Sequence, residues 1–165
     1  MSSFDRRCLL MLLSGVLPLA ACGFSPVYAP GSAAMAIRGR VRPDDPADRL
    51  AHAFVARFEA RMGRADGAPW ALGYKITTRE VATGLNPDNV ATRIILQGAA
   101  DWSVRPAAGG DPVLNGRVES FTAFSATGST TASLTARRDA EQRLMVILAD
   151  QLVAQLAVQA GALSP

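Results

Sequence analysis

Residues 92–105 read TRIILQGAADWSVR. Ile94, Leu96, Gly98, Ala100 and Trp102 alternate with Arg93, Ile95, Gln97, Ala99 and Asp101. Successive side chains of an extended chain point to opposite faces, so this period of two predicts a long strand over Thr92–Arg105. The same pattern flanks it. From Trp70 to Val81, Leu72, Tyr74, Ile76 and Thr78 fall on one face, with Gly73, Lys75, Thr77 and Arg79 on the other. TGLNPDN, residues 83–89, is turn chemistry between the two runs, and PAAGGDP, residues 106–112, is a second hairpin loop. The chain then returns from Val113 to about Phe124, with Leu114, Gly116 and Val118 opposite Asn115, Arg117 and Glu119. Phe121 falls out of phase with the apolar face, which predicts a bulge near Ser120.

Helical periods enclose these strands. Asp45-Pro46-Ala47-Asp48 reads as a helix start, with Asp45 as cap, Pro46 in the first turn and Asp48 near the positive helix end. Leu50, Phe54, Val55, Phe58 and Met62 then share one stripe, and Gly63 stops the helix. A longer helix is predicted over Ser133–Gln159, with Ala140, Leu144, Ile147, Leu148, Leu152 and Leu156 in register and Gly161 closing it. Ahead of both, Met35–Val41 alternates weakly and predicts a first strand ended by Pro43. The element order is β-α-β-β-β-α. Two amphipathic helices and a sheet with one apolar face bury their surfaces as a two-layer α+β sandwich. The sheet is expected to be four-stranded, mixed and mostly antiparallel, with both helices on one face.

The N-terminal residues carry a different signal. Arg6 and Arg7 precede an apolar run that reaches Ala21, interrupted by Ser14, Gly15 and Pro18. The run is shorter than the roughly 20 apolar residues of a membrane-spanning helix, and its three-part layout is that of a signal peptide. Its Arg6-Arg7 start reads either as a plain positive region or as a twin-arginine export signal. It ends in Leu19-Ala20-Ala21-Cys22. This resembles the bacterial lipobox, in which the cysteine sulfur is acylated and the chain is cut before it. Residues 1–21 are thus expected to be a lipoprotein signal peptide and 22–33 a Pro- and Gly-containing tether. Residues 34–165 are expected to form a single domain. Cys22 is the expected lipid attachment point. One acyl chain anchors weakly, at about 0.8 kcal/mol per buried CH₂, and two or three hold firmly.

Composition narrows the function. The whole chain has 17 basic and 14 acidic residues, a net charge of +3. Without Asp5, Arg6 and Arg7 the balance is milder still, unlike a nucleic-acid binder. Cys8 and Cys22 are the two cysteines, so no thiol remains for catalysis or metal ligation after processing. His52 is the single histidine and has no G-x-S-x-G partner motif. Asp44, Asp45 and Asp48 are read as helix-start residues rather than a cation site. No P-loop or dinucleotide fingerprint occurs. No catalytic residue, metal or cofactor is expected. The remaining asset is surface: the sheet face away from the helices would carry Lys75, Arg79, Arg93, Gln97 and Arg117, partly balanced by Asp101 and Glu119. Phe121 and Phe124 read either as core or as an exposed partner contact.

Several short stretches, in order, resemble one family. They are Cys22-Gly23-Phe24 with Pro26 and Tyr28, the capped helix with Leu50, and Tyr74-Lys75-Ile76. Thr92-Arg93, Gly116-Arg117-Val118 and Ala136-Arg137-Arg138-Asp139-Ala140 follow. In this succession the chain resembles the LPS-assembly lipoprotein family LptE, in its alphaproteobacterial form. Phe121 stands near a family tyrosine. The resemblance implies a two-helix, four-stranded sandwich tethered on the periplasmic side of the outer membrane, in agreement with the lack of an aspartate after Cys22. It implies an LptD-like β-barrel partner, plugged and helped in assembly by the domain, and contact with lipopolysaccharide. Lys75, Arg79, Arg93 and Arg117 are then the candidate contacts. Two alternatives stay open: a lipoprotein subunit of another outer-membrane machine, such as an ABC-type lipid transport auxiliary, and a periplasmic hydrolase using His52.

Overall fold

The structure is a computed structural model that describes residues 29–85, 91–127 and 129–163. The signal peptide, the lipobox Leu19-Ala20-Ala21, Cys22 and tether residues 22–28 lie outside the described residues. The elements run α1 Ala33–Ala36, β1 Val41–Pro43, α2 Arg49–Met62, β2 Trp70–Leu85, β3 Ala91–Pro106, β4 Leu114–Ser125 and α3 Thr130–Gln159. A 3₁₀ turn, Ala160–Leu163, follows α3.

The sheet order is β1-β2-β3-β4. β1 pairs parallel with β2, and β2–β3 and β3–β4 are antiparallel. The expected α+β sandwich with a mixed, mostly antiparallel sheet is therefore the observed architecture, with the small α1 added to it. The apolar face holds Leu72, Leu96, Ala100, Trp102, Val104 and Val118, all buried. Against it pack Phe54 and Phe58 of α2 and Leu144, Leu148, Leu152 and Leu156 of α3, each 0 % exposed. Fully burying one such side chain contributes about 1.5–3 kcal/mol. α3 is long and apolar enough to cross a bilayer by composition, yet this leucine stripe is spent on the sheet.

Two glycines let the layers close. A Cβ on Gly98 would lie 2.7 Å from Leu144 Cδ2, and one on Gly116 would lie 2.6 Å from Trp102 Cζ2. α3 thus approaches β3 over a bare backbone, and the Trp102 indole covers Gly116 of β4. Ion pairs rim the helix layer. Arg57 of α2 grips Asp150 of α3 at 2.9 and 2.8 Å, Arg49 pairs with Glu141, and Arg137 reaches Glu80 of β2 at 2.8 Å.

Four sequence expectations need correction. The first strand is Val41–Pro43 and not Met35–Val41. The Ser32 side chain accepts from the Met35 N–H and starts an alanine-rich turn, whose apolar residues Ala34 and Ile37 are buried. The cap of α2 is Asp48, which accepts from the Ala51 N–H at 2.8 Å, so Asp45 and Pro46 precede the helix. β2 continues to Leu85, through residues expected in the turn. No bulge occurs at Ser120: β4 stays in register with β3 from Leu114 to Ser125, and the irregularity lies instead between Ala82 and Leu85. Gly63 does end α2, in the left-handed region at φ 84°.

Candidate binding face of the sheet

With helices on one side only, the other sheet face is open. The register lines its side chains into cross-strand rows. These are Lys75–Asp101–Arg117, Thr77–Ala99–Glu119, Arg79–Gln97–Phe121 and Val81–Ile95–Ala123, with Arg93 beside Ser125 at the far end. All four candidate cations, Lys75, Arg79, Arg93 and Arg117, are on this face and exposed.

Their electrostatic situations differ. Arg117 Nη1 donates to both oxygens of Asp101 at 2.8 and 3.0 Å, and its Nε donates to Glu119 at 2.6 Å. The bond to Glu119, followed by that to Asp101, raises the guanidinium pKa, so this charge is firmly held and already answered by two carboxylates. Lys75, Arg79 and Arg93 have no ion pair among the described residues. The face therefore splits. The half around Arg117 is balanced, and the half around Arg79 and Arg93 is cationic.

Phe121 completes the cationic half. It is 67 % exposed, whereas Phe124 is buried at 8 %. The unbroken register explains both: Phe121 follows Arg117 and Glu119 outward, Phe124 follows Val118 inward, and Thr122 is buried between them. The Thr122 hydroxyl is satisfied by the Ala140 carbonyl at 3.0 Å. Sequence reasoning missed this because it moved an aromatic inward, although a strict period of two carried through to Ser125 would have found it. The small Ala99 side chain leaves a shallow depression of about 420 Å³, lined also by Thr77, Arg79, Gln97, Arg117, Glu119 and Phe121. Free guanidinium, a carboxamide and an exposed ring suit a ligand or partner that is anionic and partly apolar.

The other singled-out residues have structural roles. His52 is exposed on α2. Asp44 binds Arg105 at 2.9 Å, Asp45 binds Arg42 at 3.2 Å, and Asp48 caps α2. Among the described residues no three His, Cys, Asp or Glu side chains gather as a metal site. Burial, then the charges of Asp44, Asp48 and Asp45, push the Tyr74 phenol pKa up. The Tyr74 hydroxyl and the Trp70 indole N–H are buried without a partner among the described residues.

This architecture, one mixed sheet with a helix layer on one face and a free second face, is a known fold class. No family model matches the chain, and no curated protein matches it. Solved structures do. A Caulobacter crescentus protein provisionally assigned as a lipoprotein superposes with a TM-score of 0.67 at 20 % identity, over 81 % of this chain and 99 % of that one. Lipoprotein B from Nitrosomonas europaea gives 0.59 at 10 % identity, over 85 % and 94 %. Rare lipoprotein B from Shewanella oneidensis gives 0.56 at 12 % identity, over 74 % and 96 %. At these identities the likeness shows the shared fold.

Proposed function

We propose that this chain is an outer-membrane lipoprotein, anchored through acylated Cys22, that plugs and helps assemble an LptD-like β-barrel translocon and assists lipopolysaccharide transport. The observation that carries this reading is the conjunction of a lipobox with a fold shared, over nearly the full length of each neighbour, with proteins described as lipoproteins. The cationic half of the open face supports it: Arg79 and Arg93 supply donors for phosphate or carboxylate, and Phe121 supplies apolar contact, with Lys75 exposed farther along the same face. The domain binds and holds; it is not an enzyme on this reading, and His52 has no part in it.

The test is extraction of the native protein from membranes, with intact-mass measurement of the chain and identification of what co-purifies. The expected result is a mass with acyl chains on Cys22, lost in Cys22→Ser, and a large β-barrel as the companion. Recovery of ABC transporter or substrate-binding components would favour the alternative lipid-transport machine. An unacylated, freely soluble chain would overturn both.

A further inference from the structure

The two edges of the sheet are built differently. β1 is a three-residue edge that ends in Pro43. β4 is a twelve-residue edge, LNGRVESFTAFS, with neither proline nor lysine. Long, unguarded edges invite pairing, and proteins ordinarily blunt them with such residues.

The hydrogen-bond phase of β4 can be assigned from two bonds. Just past the strand, the Ala126 N–H donates to the Thr92 carbonyl at 3.0 Å, so even-numbered positions face β3. The Arg117 carbonyl instead accepts from Gln155 Nε2 of α3 at 3.2 Å, so odd-numbered positions face outward. Gln155 covers the edge at Arg117. Beyond it, the outward N–H and C=O groups of Glu119, Phe121, Ala123 and Ser125 have no backbone partner among the described residues.

From this we infer that β4 is a strand-addition site, and that its occupant is an extended segment of the partner polypeptide pairing along Glu119–Ser125. The inference rests on the proposed docking to a partner protein and names the edge through which it occurs. Only an extended backbone offers alternating donors and acceptors at strand spacing. A second copy of this chain does not fit. α3 runs along β4, bonded to it at Thr122 and at Arg117, so edge-to-edge copies would set two such helices roughly one strand spacing, ~5 Å, apart, against the 8–10 Å that packed helices need. The free edge is about 23 Å long and one strand deep, a few hundred Å², short of the ~800 Å² per partner of a standard interface. The segment must therefore belong to a chain held by further contacts. Phe121 and Ala123 flank the added strand on the open face, which selects apolar side chains there.

The complex extracted from membranes provides the test, by amide hydrogen exchange compared with the isolated full chain. Slowing of the Glu119, Phe121, Ala123 and Ser125 amides by about tenfold or more in the complex is expected, and Glu119→Pro with Ala123→Pro should lower partner recovery about tenfold by deleting two outward N–H groups. If that variant unfolds, exchange on the wild-type complex decides alone. Protection at the edge by a companion other than a barrel keeps strand addition and removes the barrel reading. A co-purifying barrel with freely exchanging edge amides overturns strand addition only. Cross-linking of a photoreactive residue at position 119 to a second copy also overturns it, and a chain without any companion overturns both.

Discussion

Substituting Gly116 by alanine places one methyl group where Trp102 already lies. The added Cβ would stand 2.6 Å from Cζ2, 2.8 Å from Cε2 and 3.0 Å from Nε1 of the indole. Ordinary contact needs more than 3.4 Å, so the ring must retreat by nearly an ångström. Trp102 is 3 % exposed and has little room. Its Nε1–H donates to Gln155 Oε1 at 3.1 Å, and Gln155 Nε2 donates to the Arg117 carbonyl, so the shift also breaks this clip. Overpacking costs about 1–3 kcal/mol and an orphaned buried N–H about 1–3 more. The expected loss is about 2–6 kcal/mol. For a domain of this size that lowers Tm by roughly 8–24 °C. Calorimetry and urea unfolding measure it, and Trp fluorescence should shift to the red. In the W102F background, which lacks the clashing atoms, the same glycine substitution should cost about 1 kcal/mol or less. A Gly116→Ala protein as stable as the parent, or equally destabilised with and without the indole, would refute the packing argument.

Tyr74→Phe removes a buried hydroxyl without a partner, so neutral-pH stability should hold or rise by up to ~1 kcal/mol in urea unfolding. The folded phenol pKa is raised by burial and then by Asp44, Asp48 and Asp45; its contribution is intact below the unfolded value near 10 and is lost as pH climbs through the folded one. A stability decline above pH 10 that is shallower in Y74F is the expected outcome. Asp48→Ala should cost about 1 kcal/mol by removing the cap of α2, whereas Asp45→Ala should cost under ~0.5 kcal/mol in the same measurement. Arg79→Gln with Arg93→Gln should weaken lipopolysaccharide or barrel binding about tenfold or more in a pull-down titration. Arg117→Gln, whose charge two carboxylates already answer, should weaken it less.

The sheet was legible because its residues alternate strictly: Leu72 to Thr78, Ile94 to Trp102 and Leu114 to Val118 all lie on the face first assigned to them. The leucine stripe of α3 was legible for the same kind of reason. What failed were places where a local competitor outweighed the pattern. Ser32 and three alanines make a turn of Ala33–Ala36 that weak alternation could not forecast. Three nearby aspartates offered rival caps, and only the folded backbone selects Asp48. Phe121 was drawn inward by its hydrophobicity, while the neighbouring Thr122 found a carbonyl in α3 and held the register. On the open face, the cations could be read from the sequence. The division between a satisfied Arg117 and free Arg79 and Arg93 could not, because it depends on Asp101 lying directly across from Arg117.

The position of α1 has one more consequence. It packs on the 3₁₀ turn that follows α3, so the chain enters the domain beside the place where α3 ends. The row pairing Trp70 with Pro106 lies at that end, and Arg93 sits thirteen rungs farther along β3, about 43 Å away. From Cys22 to Ala29 the backbone can stretch at most ~25 Å. A lipid on Cys22 would moor the domain like a post by its foot. Standing upright, the post lifts its arginine-bearing crown clear of the leaflet that holds it, toward whatever arrives through the water.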